Sequence, residues 1–238
     1  MKEVLRKILL VICACVFAFS LYKLGMIAYE YYQIDKETTE LVEEYVEEEP
    51  KEDPTQRQID FDKLLELNKD VIGWIYLPGT SIDEPILKGK NNDTYLYTDI
   101  HKKHNKAGSI FVEEKNKADF SDDNTIIYGH NMKNGSRFHT LKTLLKKDAF
   151  EEHQDLYIYT PDGKVRTYKI VVARTLDAYS PLYRIHIHED HFIEDIQRGA
   201  KQKRKIKKGE PFVMLSTCIG TEGTGRFVVF AQLEKITK

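Results

Sequence analysis

The stretch MLSTCIGTEGTGRFVVF, residues 214–230, sets a cysteine at the end of a β-like run, followed by a glycine-rich turn and an arginine that opens the next run. A cysteine kept for packing belongs inside such a run, among apolar neighbours, where its weak polarity costs least. Cys218 sits instead where a strand gives way to a loop. If the two runs pair as a hairpin, Arg226 returns beside Cys218. A third apolar run, in NTIIYGHN at 124–131, ends at His130. If that run is a parallel neighbour of the Cys218 run, Cys218, His130 and Arg226 converge at one edge of a sheet.

Outward from this segment, the chain reads as many short strands and few helices. VIGWIYLPGTSIDEPILKG, 71–89, holds two β-rich runs around the turn signal Pro78-Gly79. AGSIFVEE, NTIIYGH, LYIYT, VRTYKIVVART, PFVMLSTC and RFVVFAQLEK add six more, and LYIYT joins VRTYKIVVART through Asp162-Gly163. IDFDKLLELN, 59–68, has apolar residues at helical spacing, and further helices are expected around Arg137–Lys147 and Glu189–Lys203. The predicted class is mainly β with helices, a closed or nearly closed barrel over 59–238.

The N-terminus differs in kind. Lys2, Arg6 and Lys7 precede an apolar run over 8–28, long enough to span a bilayer when Lys23 snorkels to the interface. The basic flank places residues 1–7 in the cytoplasm and the remainder outside. A cleaved signal peptide is the competing reading, but no clear small-x-small site follows the run. Residues 29–58 are rich in glutamate and punctuated by Pro50 and Pro54, and they read as a solvated stalk. The spacing of Ile34, Leu41, Val42, Tyr45 and Val46 also permits a short amphipathic helix.

Composition excludes some functions. A net charge of −2 gives no reason to expect nucleic acid. Of the three cysteines, Cys13 and Cys15 lie in the apolar segment, which leaves Cys218 without a disulfide partner in the globular part. An unpaired thiol outside the cell is an oxidation liability, so its presence hints at use. His101, His104, His139, His153, His186, His188 and His191 lie in charged or turn-rich segments and read as surface residues. Alternation in a solvated loop accounts for IHIHEDH, 185–191, as well as a metal site would, and no metal or cofactor is expected. The basic run RGAKQKRKIKKGE, 198–210, reads as a solvated helix end and loop, or as a contact with anionic lipid or wall polymer.

The ordered set GWIYLPGTSIDEPILKG, NNDTYLYTDI, AGSIFVEE, NTIIYGHNMKNGSRFHTL, LSTC and downstream Arg226 resembles the sortases from about Leu64 to Leu233. The extra helix between the sixth and seventh strands resembles class B of that family. The resemblance implies a membrane-anchored cysteine transpeptidase on an eight-stranded barrel. Cys218 would be the nucleophile, His130 the general acid and base, and Arg226 the donor to substrate backbone or oxyanion. Asn92, Leu96, Ser216, Thr217 and Tyr183 would bind the substrate. The implied partners are a surface protein bearing a C-terminal sorting signal of the Asn-Pro-x-Thr type, cleaved after the threonine, and an amine of a peptidoglycan precursor. Relatives often carry acids directly after the cysteine, whereas Ile219 and Gly220 follow here and Glu222 is the nearest acid. Two other readings remain beside it. An L,D-transpeptidase carries its histidine and glycine immediately before the cysteine, which STCIG lacks; a non-catalytic wall-binding module would keep only the fold.

Overall fold

The run ending at Cys218 is apolar at successive positions because both of its faces are covered. The computed structural model describes residues 2–47, 53–187, 191–220 and 223–238; Pro50, His188, Glu189 and Glu222 lie outside the described residues. Strand β8 (Phe212–Cys218) is buried along its length except at Cys218 itself. Side chains alternate between faces along a strand. Val213 and Leu215 accordingly join Ile75, Ile127, Val229 and Ala231 in the barrel interior. Phe212 and Met214 face the other way, toward Val228, Phe230, Phe192 and Ile196.

The eight expected strands all form: β1 (Val71–Tyr76), β2 (Asp83–Leu87), β3 (Ile110–Val112), β4 (Asn124–Tyr128), β5 (Asp155–Tyr159), β6 (Val165–Asp177), β8 and β9 (Gly225–Thr237). They run in the order β5-β1-β2-β3-β4-β8-β9-β6, and antiparallel pairing of β6 with β5 closes the barrel. Closure pairs β5 with the first part of β6 and so removes that edge of the sheet. The helical spacing at 59–68 becomes α2 (Phe61–Leu67), whose N-cap Asp60 accepts from the Lys63 amide.

Four expectations change. The helix expected over 189–203 contracts to α4 (Phe192–Gln197). Gly199, at φ +71°, turns the chain, and Gln202–Lys203 pairs with β6 as a short strand, β7. There the alternation of KQKRK decides the outcome. Gln202 and Arg204 point inward, Arg204 lying 3.8 Å over the Phe150 ring and donating to the Ile170 carbonyl, while Lys201, Lys203 and Lys205 are exposed. The helix expected around Arg137–Lys147 divides into a 3-10 stretch, Phe138–Leu145, and α3 (Lys147–Glu152). His139 and His153 are half-buried rather than exposed, and His153 Nδ1 lies 3.0 Å from the Pro78 carbonyl.

The acidic segment is not one solvated stalk. Helix α1 spans Lys2–Tyr45, and the globular unit begins at Glu40 rather than Ile59. Leu41 and Tyr45 are buried in a cluster with Leu64, Val71 and Trp74, and Val46 pairs with Ile59. Arg57, also buried, donates from both terminal nitrogens to Asp83, at 2.8 and 2.7 Å. Apolar residues at helical spacing outweigh the surrounding glutamates once there is a barrel face to cover. The first unit, Met1–Thr39, carries the candidate membrane span, whose Leu9, Val16, Phe17 and Leu24 are exposed.

Candidate active site

Strand pairing assembles the site. β4 lies parallel to β8 with Tyr128 opposite Ser216, and β8 is antiparallel to β9 with Cys218 opposite Arg226. Both pairings anticipated for these runs are present. By strand alternation Ser216 and Cys218 share the outer face of β8 with Met214. They open into a cleft of about 290 Å³ whose lining includes His130, Tyr183, Cys218 and Arg226.

His130 follows Gly129, and the absence of a Cβ there has a cause. A Cβ on Gly129 would come within 2.9 Å of Cγ of Phe138, a fully buried core residue. His130 Nε2 lies 2.7 Å from the Leu96 carbonyl. A carbonyl only accepts, so Nε2 carries the proton in that bond and Nδ1 is the basic nitrogen of the neutral ring. Burial pushes the His130 imidazole below the usual histidine range, and the Arg137 charge adds to the effect against the Leu96 bond. The Tyr97 ring lies 5.3 Å from it, centroid to centroid.

The nucleophile's end of β8 is pinned from two sides. Asn131 Nδ2 donates to the Cys218 carbonyl at 2.9 Å, and the Ile219 amide donates to the Gly225 carbonyl at 3.0 Å. Arg226 Nη1 donates to the Gly225 carbonyl at 2.9 Å, which holds a half-buried guanidinium at the rim.

The remaining residues expected to bind substrate line the same cleft but do different things. The Tyr183 and Ser216 hydroxyls are 2.7 Å apart. Burial, the largest influence, raises the Tyr183 pKa, so the phenol is held as a donor. Asn92 spends its side chain on scaffold: Nδ2 donates to Glu113 at 2.8 Å and Oδ1 accepts from the Glu114 amide at 2.8 Å. Tyr128 donates to the same Glu113 carboxylate at 2.9 Å. Leu96 contributes its carbonyl to His130, and Thr217 has a buried hydroxyl without a partner among the described residues. Glu113, Gly129 and Asn131 escaped the sequence reading as site residues. Each lies within a quoted motif, yet only its partner reveals its use.

A thiol, an imidazole and a guanidinium at one end of a closed barrel, beside a groove with paired hydroxyls, define a cysteine acyl-transfer enzyme. The sortase domain family matches residues 75–234, and the chain belongs to that family. Sortase B of Listeria monocytogenes is 32% identical, with 91% of each chain covered. The structure of sortase B from Bacillus anthracis superposes with a TM-score of 0.72 at 31% identity, covering 87% of this chain and 99% of that one. A Staphylococcus aureus sortase B–substrate complex gives 0.71 at 26% identity, covering 89% of this chain and 97% of that one. Among the sortases it falls in class B, and it is a cysteine transpeptidase of surface proteins. The L,D-transpeptidase and non-catalytic readings fall with that assignment.

Proposed function

We propose that the enzyme cleaves an Asn-Pro-x-Thr-type sorting signal after the threonine and transfers the protein to an amine of a peptidoglycan precursor. The observation that carries this reading is the meeting of Cys218, His130 and Arg226 at one cleft. The Cys218 thiol passes its proton to His130 Nδ1, the thiolate adds to the threonine carbonyl, and the C–N bond breaks as His130 delivers that proton to the leaving amine. The resulting thioester is attacked by the acceptor amine, which passes a proton back to His130 as the thiolate departs. The Arg226 guanidinium offers fixed donors to the substrate backbone or the developing oxyanion. A buried asparagine side chain needs hydrogen-bond partners. Whichever hydroxyl of the Tyr183–Ser216 pair donates to the other, one O–H remains to be offered.

The apolar part of α1 supports a single membrane span over 8–28 with the basic residues 1–7 in the cytoplasm and the barrel outside. Surface protein and wall precursor would then be met on the outer side.

The test uses the full chain in detergent micelles and two internally quenched peptides, identical except for Asn or Leu before the proline. The Asn-Pro peptide should show the higher kcat/KM, and mass spectrometry of a denatured reaction mixture should find the acyl group on Cys218. Cys218→Ala should lose both cleavage and transfer. Preference for the Leu-Pro peptide would overturn the substrate class, and transfer by Cys218→Ala would overturn the chemistry.

A further inference from the structure

Close enough to His130 for its charge to act on the imidazole, Arg137 forms a buried ion pair that takes no part in the acyl-transfer steps themselves. Glu84, on β2, and Arg137 are each 2% exposed, and Arg137 Nη1 donates to Glu84 Oε2. Burial pushes the Glu84 carboxyl upward against the pull of the guanidinium. Such a pair is weak evidence for stability, because apolar residues of similar volume often serve a core as well or better. Arg137 also holds φ +55°, the left-handed region that favours glycine. Two costs therefore fall on one residue, and such strain persists where the surroundings over-determine it.

The contacts of Arg137 lead to His130 by two routes. Its Nε donates to the Gly108 carbonyl at 3.0 Å. Gly108, at φ +54°, lies so close to the 95–96 backbone that a Cβ on it would come within 2.3 Å of the Leu96 carbonyl oxygen. That oxygen is the one facing His130 Nε2. On the other side, the Arg137 backbone pairs with Asn131, and the next amide, Phe138, donates to the His130 carbonyl at 3.0 Å. One residue thus braces the backbone that carries the imidazole and the peptide that orients its ring.

We propose that Arg137, anchored by Glu84, is a positioning residue that holds the His130 imidazole in its Nε2–H tautomer, keeping Nδ1 as the basic nitrogen. The inference rests on His130 serving the Cys218 chemistry. A lysine at 137 cannot reproduce it, since one ammonium replaces a fork that reaches Gly108 and Glu84 at once. Glutamine at 84 keeps the shape of the anchor and removes its charge.

The experiment uses the full chain in micelles, labelled with 15N-histidine, as wild type, Arg137→Lys and Glu84→Gln. Long-range 1H–15N spectra at neutral pH read the His130 tautomer, assigned by loss of its signals in His130→Gln. The wild type should show the Nε2–H form, and Arg137→Lys a mixture of tautomers. In Arg137→Lys, kcat should fall about 10- to 100-fold, the scale expected of a sub-ångström misplacement, with KM little changed. Glu84→Gln should move both readings the same way by less. If Arg137→Lys does not fold, the Glu84→Gln spectrum decides. A folded variant that keeps the wild-type tautomer overturns the proposal, whether or not its rate has dropped. Failure of the acyl-transfer reading would appear separately, as transfer persisting in Cys218→Ala.

Discussion

Gly129→Ala is the most economical probe of how the barrel aims its histidine. Gly129 lies outside the left-handed region, so alanine is allowed by the backbone and the cost is one of space. The new Cβ would sit 2.9 Å from Phe138 Cγ and 3.0 Å from Cδ2. Carbon–carbon contacts are most favourable at about 3.5–4.0 Å, so ring and strand end must part by about 0.5–1 Å. Phe138 cannot retreat, because it is fully buried among Leu141, Leu144 and Phe150 in the barrel core, and such interiors are close-packed. Overpacking of this kind costs about 1–3 kcal/mol. At about 2–4 °C per kcal/mol for a domain of this size, Tm should drop by about 2–12 °C. The displacement is transmitted to His130, whose carbonyl accepts from the Phe138 amide, and kcat should fall about 10- to 100-fold. Calorimetry and a quenched-peptide assay measure the two effects. Adding Phe138→Leu makes room for the methyl, so the double variant should recover part of both losses, a coupling of opposite sign to simple addition. An unchanged Tm and kcat in Gly129→Ala, or purely additive losses in the double variant, would refute the steric account.

The other predictions concern charge. Burial holds the folded His130 pKa below its unfolded value, so its contribution to stability is intact above about pH 6.5 and is lost as pH falls from there toward the folded pKa. NMR titration of His130 should give a midpoint below that of a free histidine, with urea stability lower at the acidic end; a midpoint above it would refute the burial argument. Asp83→Asn removes the charge that holds buried Arg57 and also weakens a 2.6 Å bond from Trp74 Nε1. It should cost about 3 kcal/mol or more by chemical denaturation, as breaking a buried pair does, and an unchanged midpoint would refute that role.

Much of the site was legible because the strand period is two. MLSTC places Ser216 and Cys218 on one face, and RFVVF returns Arg226 to the same level, so the convergence follows from pairing alone. The candidate membrane span was equally legible, since length and apolarity are properties of the local chain. Helix ends and long-range partners were not. KQKRK carries both a helical and an alternating pattern, and only the free edge of β6 selects the strand. The glutamate-rich 40–47 segment reads as solvated until the cluster around Leu64 and Trp74 offers Leu41 and Tyr45 a surface to cover.

The sequence by itself indicated the eight strands as separate runs, the apolar helix, and Cys218, His130 and Arg226 at the ends of three of those runs, because these depend on local periodicity and motif. Only the tertiary structure decided that Asn92 turns its amide to Glu113, that Asn131 pins the Cys218 carbonyl, and that Glu84 meets Arg137. The physical reason is distance along the chain: these partners are 21, 87 and 53 residues apart, and the pairing of strands distant in sequence brings them within hydrogen-bond reach.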